Sequence, residues 1–195
     1  SSLALCTHEE TFGLTNLPRA GDDLIIPTVE ELLRTSKKAY GDLTHLACVL
    51  GPGGFTSTRI GVTAANTLAY ALDLPSAGIH LSALWAACFR RPNPSPSPNP
   101  CPFLWLHSTR RHQLFVKGFG ADGSETPTTL MDIEDAKTLQ GKYVGELLEV
   151  HQNVLTRCEP FEERELRSLE EVLPGFLKTL HYQKQQLLPW YGREP

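Results

Sequence analysis

The sequence has 195 residues, 41% of them hydrophobic, and carries 18 lysines and arginines against 22 aspartates and glutamates for a net charge of -4. That length fits one domain or two small lobes with a buried core, and the mildly acidic balance excludes a surface that binds nucleic acid or anionic membrane by charge alone. Five cysteines (Cys6, Cys48, Cys88, Cys101 and Cys158) occur without a Cys-x-x-Cys pair, which argues against a disulfide framework and against a zinc site of the usual spacing. No signal-peptide pattern opens the sequence and no apolar run reaches membrane-spanning length, so a cytosolic protein with no membrane partner is expected.

In chain order, "SLALC" (residues 2–6) reads as a short buried strand, with "TFGLTNL" (11–17) as its hairpin partner. Asp22 or Asp23 signals the start of a helix, Pro27 suits an early helical position, and Ile26, Val29, Leu32 and Leu33 fall on helical spacing. Gly41 is expected to stop that helix. "LACVL" (46–50) is a second buried strand, a glycine turn follows, and "STRIGVTAANTLAYAL" (57–72) is a helix. Ile60, Ala64 and Leu68 lie along one of its sides, with Gly61, Ala65 and Ala69 on an adjacent one. A short strand near Ala77–Ile79 and a helix over "LSALWAACF" (81–89) complete a first lobe, residues 1–90.

Residues 91–102 alternate proline with Asn and Ser, which permits neither helix nor central strand and marks a loop between lobes. Residues 103–195 form the expected second, smaller lobe with its tail. Two strands, "FLWLHS" and "HQLFVKGFG", open it. A short helix over "MDIEDAKTL", a strand over "KYVGEL" and a helix over residues 164–183 interrupted at Pro174 and Gly175 follow. The ending "LLPWYGREP" is too apolar for a solvent tail and is expected to pack on something.

The stretch "GPGGFTST" raises the question of chemistry. Gly51, Gly53 and Gly54 permit crowded backbone, and Thr56, Ser57 or Thr58 can cap the helix that follows. Free N–H groups at that helix start suit an anion, so Gly51, Gly53, Gly54 and Thr56 are candidate phosphate or nucleotide ligands. A plain strand-to-helix turn explains the same residues equally well. Phe55 stands where a Walker-type loop needs lysine, and the spacing is not Gly-x-Gly-x-x-Gly. The seven histidines are scattered, Arg110, Arg111 and His112 read as a solvated turn, and no nucleophile–base pair is visible. No catalytic residue and no metal ligand is assigned.

"GPGGFTSTRIGVTAANTLAYALDLP" (51–75) resembles the signature of the TsaB/YeaZ family, with Gly51, Pro52, Gly53, Phe55, Thr56, Arg59, Ile60 and Gly61 in place. "LWLHSTRRHQLFVKGFG" is similar to the opening of that family's second lobe, and "LLPWYGREP" to the ending of some members. The resemblance implies an α/β actin-like ATPase (ASKHA, ribonuclease H-like) fold of two lobes, the second reduced. It implies a non-catalytic scaffold or activator in synthesis of tRNA N6-threonylcarbamoyladenosine (t6A). Such a subunit pairs with a TsaD-like catalytic protein, acts with a TsaE-like ATPase, and meets tRNA through the complex. Alone, it is expected to self-associate. ATP or ADP would then belong at the partner interface, with no cofactor assigned to the chain itself. The pairing surface implied is the two first-lobe helices, here Ile26, Val29 and Leu33 with Val62, Ala65, Asn66 and Ala69. Cys6 replaces the family's strand-one aspartate, Ser57 a signature glycine, and Ser108 the aspartate that opens the second lobe's turn. An alternative is an active actin-like small-molecule kinase or ATPase that holds phosphate at Gly51–Thr56. A peptidase has no support in the residues.

Overall fold

The computed structural model describes residues 2–7, 9–16, 24–89, 101–162 and 166–192. Two compact units result. One is formed by the first 80 residues together with Ser168–Tyr191, the other by Leu81–Arg167 with the last few residues. The expected boundary near residue 90 and a second lobe over 103–195 therefore change. The final helix and the tail return to the first unit, and helix 81–89 groups with the second.

In the first unit, β1 (Ser2–Cys6) and β2 (Thr11–Asn16) form an antiparallel pair. Helix α1 (Ile25–Thr35) packs on it through buried Leu32 and Leu33. A Cβ on Gly13 would stand 2.7 Å from Leu32 Cδ2, so glycine is what lets the helix approach this strand. Asp22 and Asp23, the expected start signals, lie outside the described residues; Leu24 is the N-cap and makes no side-chain cap bond. The helix also ends well before Gly41. Lys37 takes a left-handed conformation (φ 55°), its N–H reaches Arg34 O, and Lys38 N–H reaches Leu33 O, which closes the helix as a Schellman motif.

Strand β3 (Leu46–Gly51), helix α2 (Phe55–Ala71) and strand β4 (Ser76–His80) form a parallel β–α–β unit. Helix α2 begins two residues earlier than its pattern suggested, with Gly54 as N-cap. Thr56, Ser57 and Thr58 consequently sit inside its first turn and none caps it; Thr58 N–H donates to Gly54 O.

The second unit carries helix α3 (Leu81–Phe89) and a five-stranded sheet. Its strands are β5 (Phe103–Ser108), β6 (Gln113–Phe119), β7 (Thr129–Asp132), β8 (Gly141–Val144) and β9 (Cys158–Pro160), in the order β7-β6-β5-β8-β9. The strand period of two divides β5 between two faces. Leu104 and Leu106 join Leu114, Val116, Tyr143 and Leu155 in one core. Phe103 stacks on Phe119 at 4.8 Å and meets Phe89 of α3 edge-on at 4.5 Å. The helix expected over "MDIEDAKTL" is a strand followed by a single turn, α4 (Ile133–Ala136), and a second single turn, α5 (Glu149–Gln152), follows β8.

Back in the first unit, α6 (Leu169–Leu177) starts at Ser168, whose Oγ accepts from Glu171 N–H. It runs through Pro174, where an interruption was expected. A proline leaves the carbonyl four residues earlier without its helical donor. That carbonyl, Glu170 O, accepts from the Thr11 hydroxyl at 2.9 Å, so β2 supplies the bond the helix lacks.

Candidate functional site

The glycine turn lies between β3 and α2, at the edge of the β3–β4 pair where Gly51 stands opposite His80. Gly51 is buried and has φ 135°. A Cβ there would lie 2.5 Å from the carbonyl oxygen of Trp190, so both its backbone angle and its neighbour require glycine. Trp190 N–H donates to Leu50 O at 2.8 Å, its ring meets His80 edge-on at 4.6 Å, and Tyr191 lies 5.1 Å from the Phe55 ring. The apolar ending does pack, and it packs on this turn. Gly53 is half-buried against the Thr58 hydroxyl, which would stand 2.8 Å from its Cβ, while Gly54 and Thr56 are exposed. Of the four candidate phosphate ligands, one is thus engaged by the chain's own backbone and two open to solvent.

An open groove of about 490 Å3 runs between α1 and α2, lined by Ile25, Ile26, Phe55, Thr56, Arg59, Ile60, Thr63, Ala64 and Thr67. Of its lining residues, Ile26 is 42% exposed and Phe55 61%. Large apolar side chains gathered at one surface mark an interaction site more often than scattered ones do. The Arg59 guanidinium sits 5.1 Å from the centre of the Phe55 ring.

The expected pairing residues divide. Ile26 lines this groove and Val29 is half-buried on the same helix. Leu33, Val62, Ala65 and Ala69 are buried within their own unit. Asn66 bonds the backbone of Leu187. The open side of α2 instead carries Ile60, Ala64 and Thr67. Helix α2 is apolar or small on both sides and packs on β3, so its pattern alone does not say which side is left open.

In the second unit the structure joins two residues that sequence spacing could not. His151 is wholly buried; its Nε2 lies 2.9 Å from Arg111 O and its Nδ1 2.6 Å from Ser108 Oγ. A carbonyl can only accept, so Nε2 carries a proton towards Arg111 O, and Nδ1 and the serine hydroxyl share the second bond. The two bonds clasp both ends of the β5–β6 turn. His107 is 7% exposed, stacks on Trp105 at 5.7 Å, and has its Nδ1 buried without a hydrogen bond. Burial holds its pKa below the ordinary value, against the opposing pull of Glu146. Burial pushes the Cys48 thiol up to about 11, and that of Cys88 to about 11 against the pull of Arg167. Burial thus disfavours the thiolate at both. Among the described residues no group of three His, Cys, Asp or Glu side chains is placed to hold a metal ion, and no helix is long and apolar enough to cross a membrane.

A family model described as tRNA N6-adenosine threonylcarbamoyltransferase (TsaD) matches residues 18–156. The chain is similar to a YeaZ structure from Pseudomonas aeruginosa with a TM-score of 0.69 at 18% identity, covering 97% of this chain and 93% of that one. A second structure, described as similar to peptidase YeaZ from Pseudomonas aeruginosa, gives 0.70 at 20%, covering 98% and 94%. At such identities the likeness speaks for the fold. The chain is 43% identical over 54 residues to the t6A biosynthesis protein TsaB of Bacillus subtilis, covering 28% of this chain and 24% of that protein. It is 40% identical over 62 residues to TsaB of Escherichia coli, covering 32% and 27%. The chain thus spans about a quarter of the length of these curated relatives.

The fold is α/β of the actin-like ATPase class. The chain belongs to the tRNA N6-adenosine threonylcarbamoyltransferase (TsaD) family.

Proposed function

We propose that this chain is a non-catalytic subunit in t6A synthesis that pairs with a TsaD-like protein through the groove between α1 and α2. The observation that carries the reading is the groove itself. Two adjacent helices hold Ile26 and Phe55 out to solvent beside Ile60, Ala64 and Thr67. A helix pair from a partner with the same architecture has the shape to cover such a surface and to exclude water from it. Association through that surface brings the chain to tRNA as part of a complex, with a TsaE-like ATPase as a further component. The catalytic groups come from the partner, and phosphate at Gly51–Thr56 is not needed for this role.

The test is the mass in solution of the purified chain mixed with the TsaD-like protein of its own organism, by light scattering, beside each protein alone. A stoichiometric complex is expected. No complex, with nucleotide and a TsaE-like protein also present, overturns the reading. ATP turnover by the isolated chain overturns the non-catalytic role and favours the kinase or ATPase alternative.

A further inference from the structure

We propose that the segment Leu187–Tyr191 is a built-in strap whose docking site is the glycine turn, and that its docking sets the open end of the α1–α2 groove. Its partner-dependent step rests on the pairing reading above. The strap is fixed at both ends of its run along α2. At its start, Asn66 bonds both the N–H and the carbonyl of Leu187. At its end, Trp190 N–H bonds Leu50 O, the Trp190 ring meets His80, and Tyr191 meets Phe55 at the first residue of α2. Between these points the Trp190 carbonyl occupies the space that any side chain on Gly51 would need. A glycine that admits a close backbone neighbour has its purpose in that neighbour. The neighbour here is the chain's own tail, so the turn works as an intramolecular receptor.

The consequence reaches the groove through one residue. Phe55 touches the strap through Tyr191, touches Arg59 with its ring, and lines the groove. An exposed phenylalanine with a ring neighbour on one side has fewer rotamers open to it than one standing free. A docked strap therefore presents the groove wall in a fixed form, and a partner loses less ordering entropy on closing over it.

The experiment compares the full chain with the double variant Trp190→Gly, Tyr191→Ser by hydrogen exchange and by affinity for the TsaD-like protein. Exchange in peptides covering residues 50–59 should rise at least tenfold in the variant, with no change over 149–160, and the partner Kd should weaken several-fold. Unchanged exchange over 50–59 overturns the strap. Faster exchange with an unchanged Kd overturns its link to the groove. If wild type forms no complex, the pairing reading fails and the link to the groove with it, while the exchange arm still decides the strap. Should the double variant not fold, Tyr191→Ser alone serves, since it removes one exposed ring and no backbone bond; equal exchange at Phe55 then overturns the coupling.

Discussion

Asn66 holds Leu187 with both halves of its amide: Nδ2 donates to the Leu187 carbonyl at 3.0 Å, and Oδ1 accepts from the Leu187 N–H at 2.9 Å. One side chain in the middle of α2 thereby satisfies both polar groups of a buried residue 121 positions away. The backbone cannot find substitutes without leaving its place, and an unpaired buried group costs about 1–3 kcal/mol. Asn66→Asp should destabilise the chain by about that much in urea unfolding, because a carboxylate offers no donor to the carbonyl and repels it. A loss below a few tenths of a kcal/mol would show that the tail bonds are replaced by water.

The two sides of α2 make opposite predictions for a single charge. Ala65 is buried, so Ala65→Glu places an unpaired charge in the interior and should cost about 3–5 kcal/mol of stability. Thr67 is exposed in the groove, so Thr67→Glu should leave the unfolding midpoint near wild type and weaken pairing at least tenfold. Thermal melts and a binding titration on both variants separate the effects. Normal pairing by a folded Thr67→Glu chain would move the partner surface elsewhere.

Lys37 and Asp73 both stand in left-handed conformations at helix ends, with φ 55° and 54°. Each closes a Schellman motif, α1 through Lys38 N–H to Leu33 O and α2 through Leu74 N–H to Ala69 O. Glycine relieves the Cβ conflict there, so Lys37→Gly should raise stability by about 0.5–1 kcal/mol. Asp73→Gly should gain less, since it also removes an exposed ion pair to Lys184 that contributes about 0–1 kcal/mol. The comparison is an equilibrium unfolding measurement at one pH, and a destabilised Lys37→Gly chain would contradict it.

His107 sets a pH dependence. Its pKa is lowered in the fold, mainly by burial, from the ordinary 6.5. Below that value the unfolded chain takes up a proton that the folded chain refuses, so stability is full above about pH 6.5 and declines as pH falls toward the folded pKa. His107→Phe keeps a ring against Trp105 and removes the titration. Its stability relative to wild type should therefore improve as pH drops from 7.5 to 5, by about 1.4 kcal/mol for each pH unit that separates the unfolded and folded pKa. A constant difference between the two chains across that range would remove His107 as the cause.

Local signals carried much of the fold. The continuous apolar runs in "FLWLHS" and "LACVL" mark β5 and β3, and the GPGGFT turn marks the entrance to α2. Pro174 misled, since the donor that rescues Glu170 O is Thr11, far away in sequence. The cap expected among Thr56, Ser57 and Thr58 misled too, because the helix begins at Phe55 without a side-chain cap. The Ser108–His151 bond left no trace in spacing, as its partners lie 43 residues apart.

Residue order alone was enough for β1–β6 and β8, the glycine turn and the family likeness, because each depends on residues within a turn or two of one another, whereas β7 and β9 exist only as partners in the sheet. Which side of α2 stays open is a matter of long-range packing. Val62, Ala65 and Ala69 are no more apolar than Ile60, Ala64 and Leu68, so periodicity supplies no energy difference between the two orientations. The difference comes from the packing of α2 on β3 and from Asn66 meeting Leu187. Asn66 takes its partner, Leu187, from a segment 121 positions away, which no local pattern could announce.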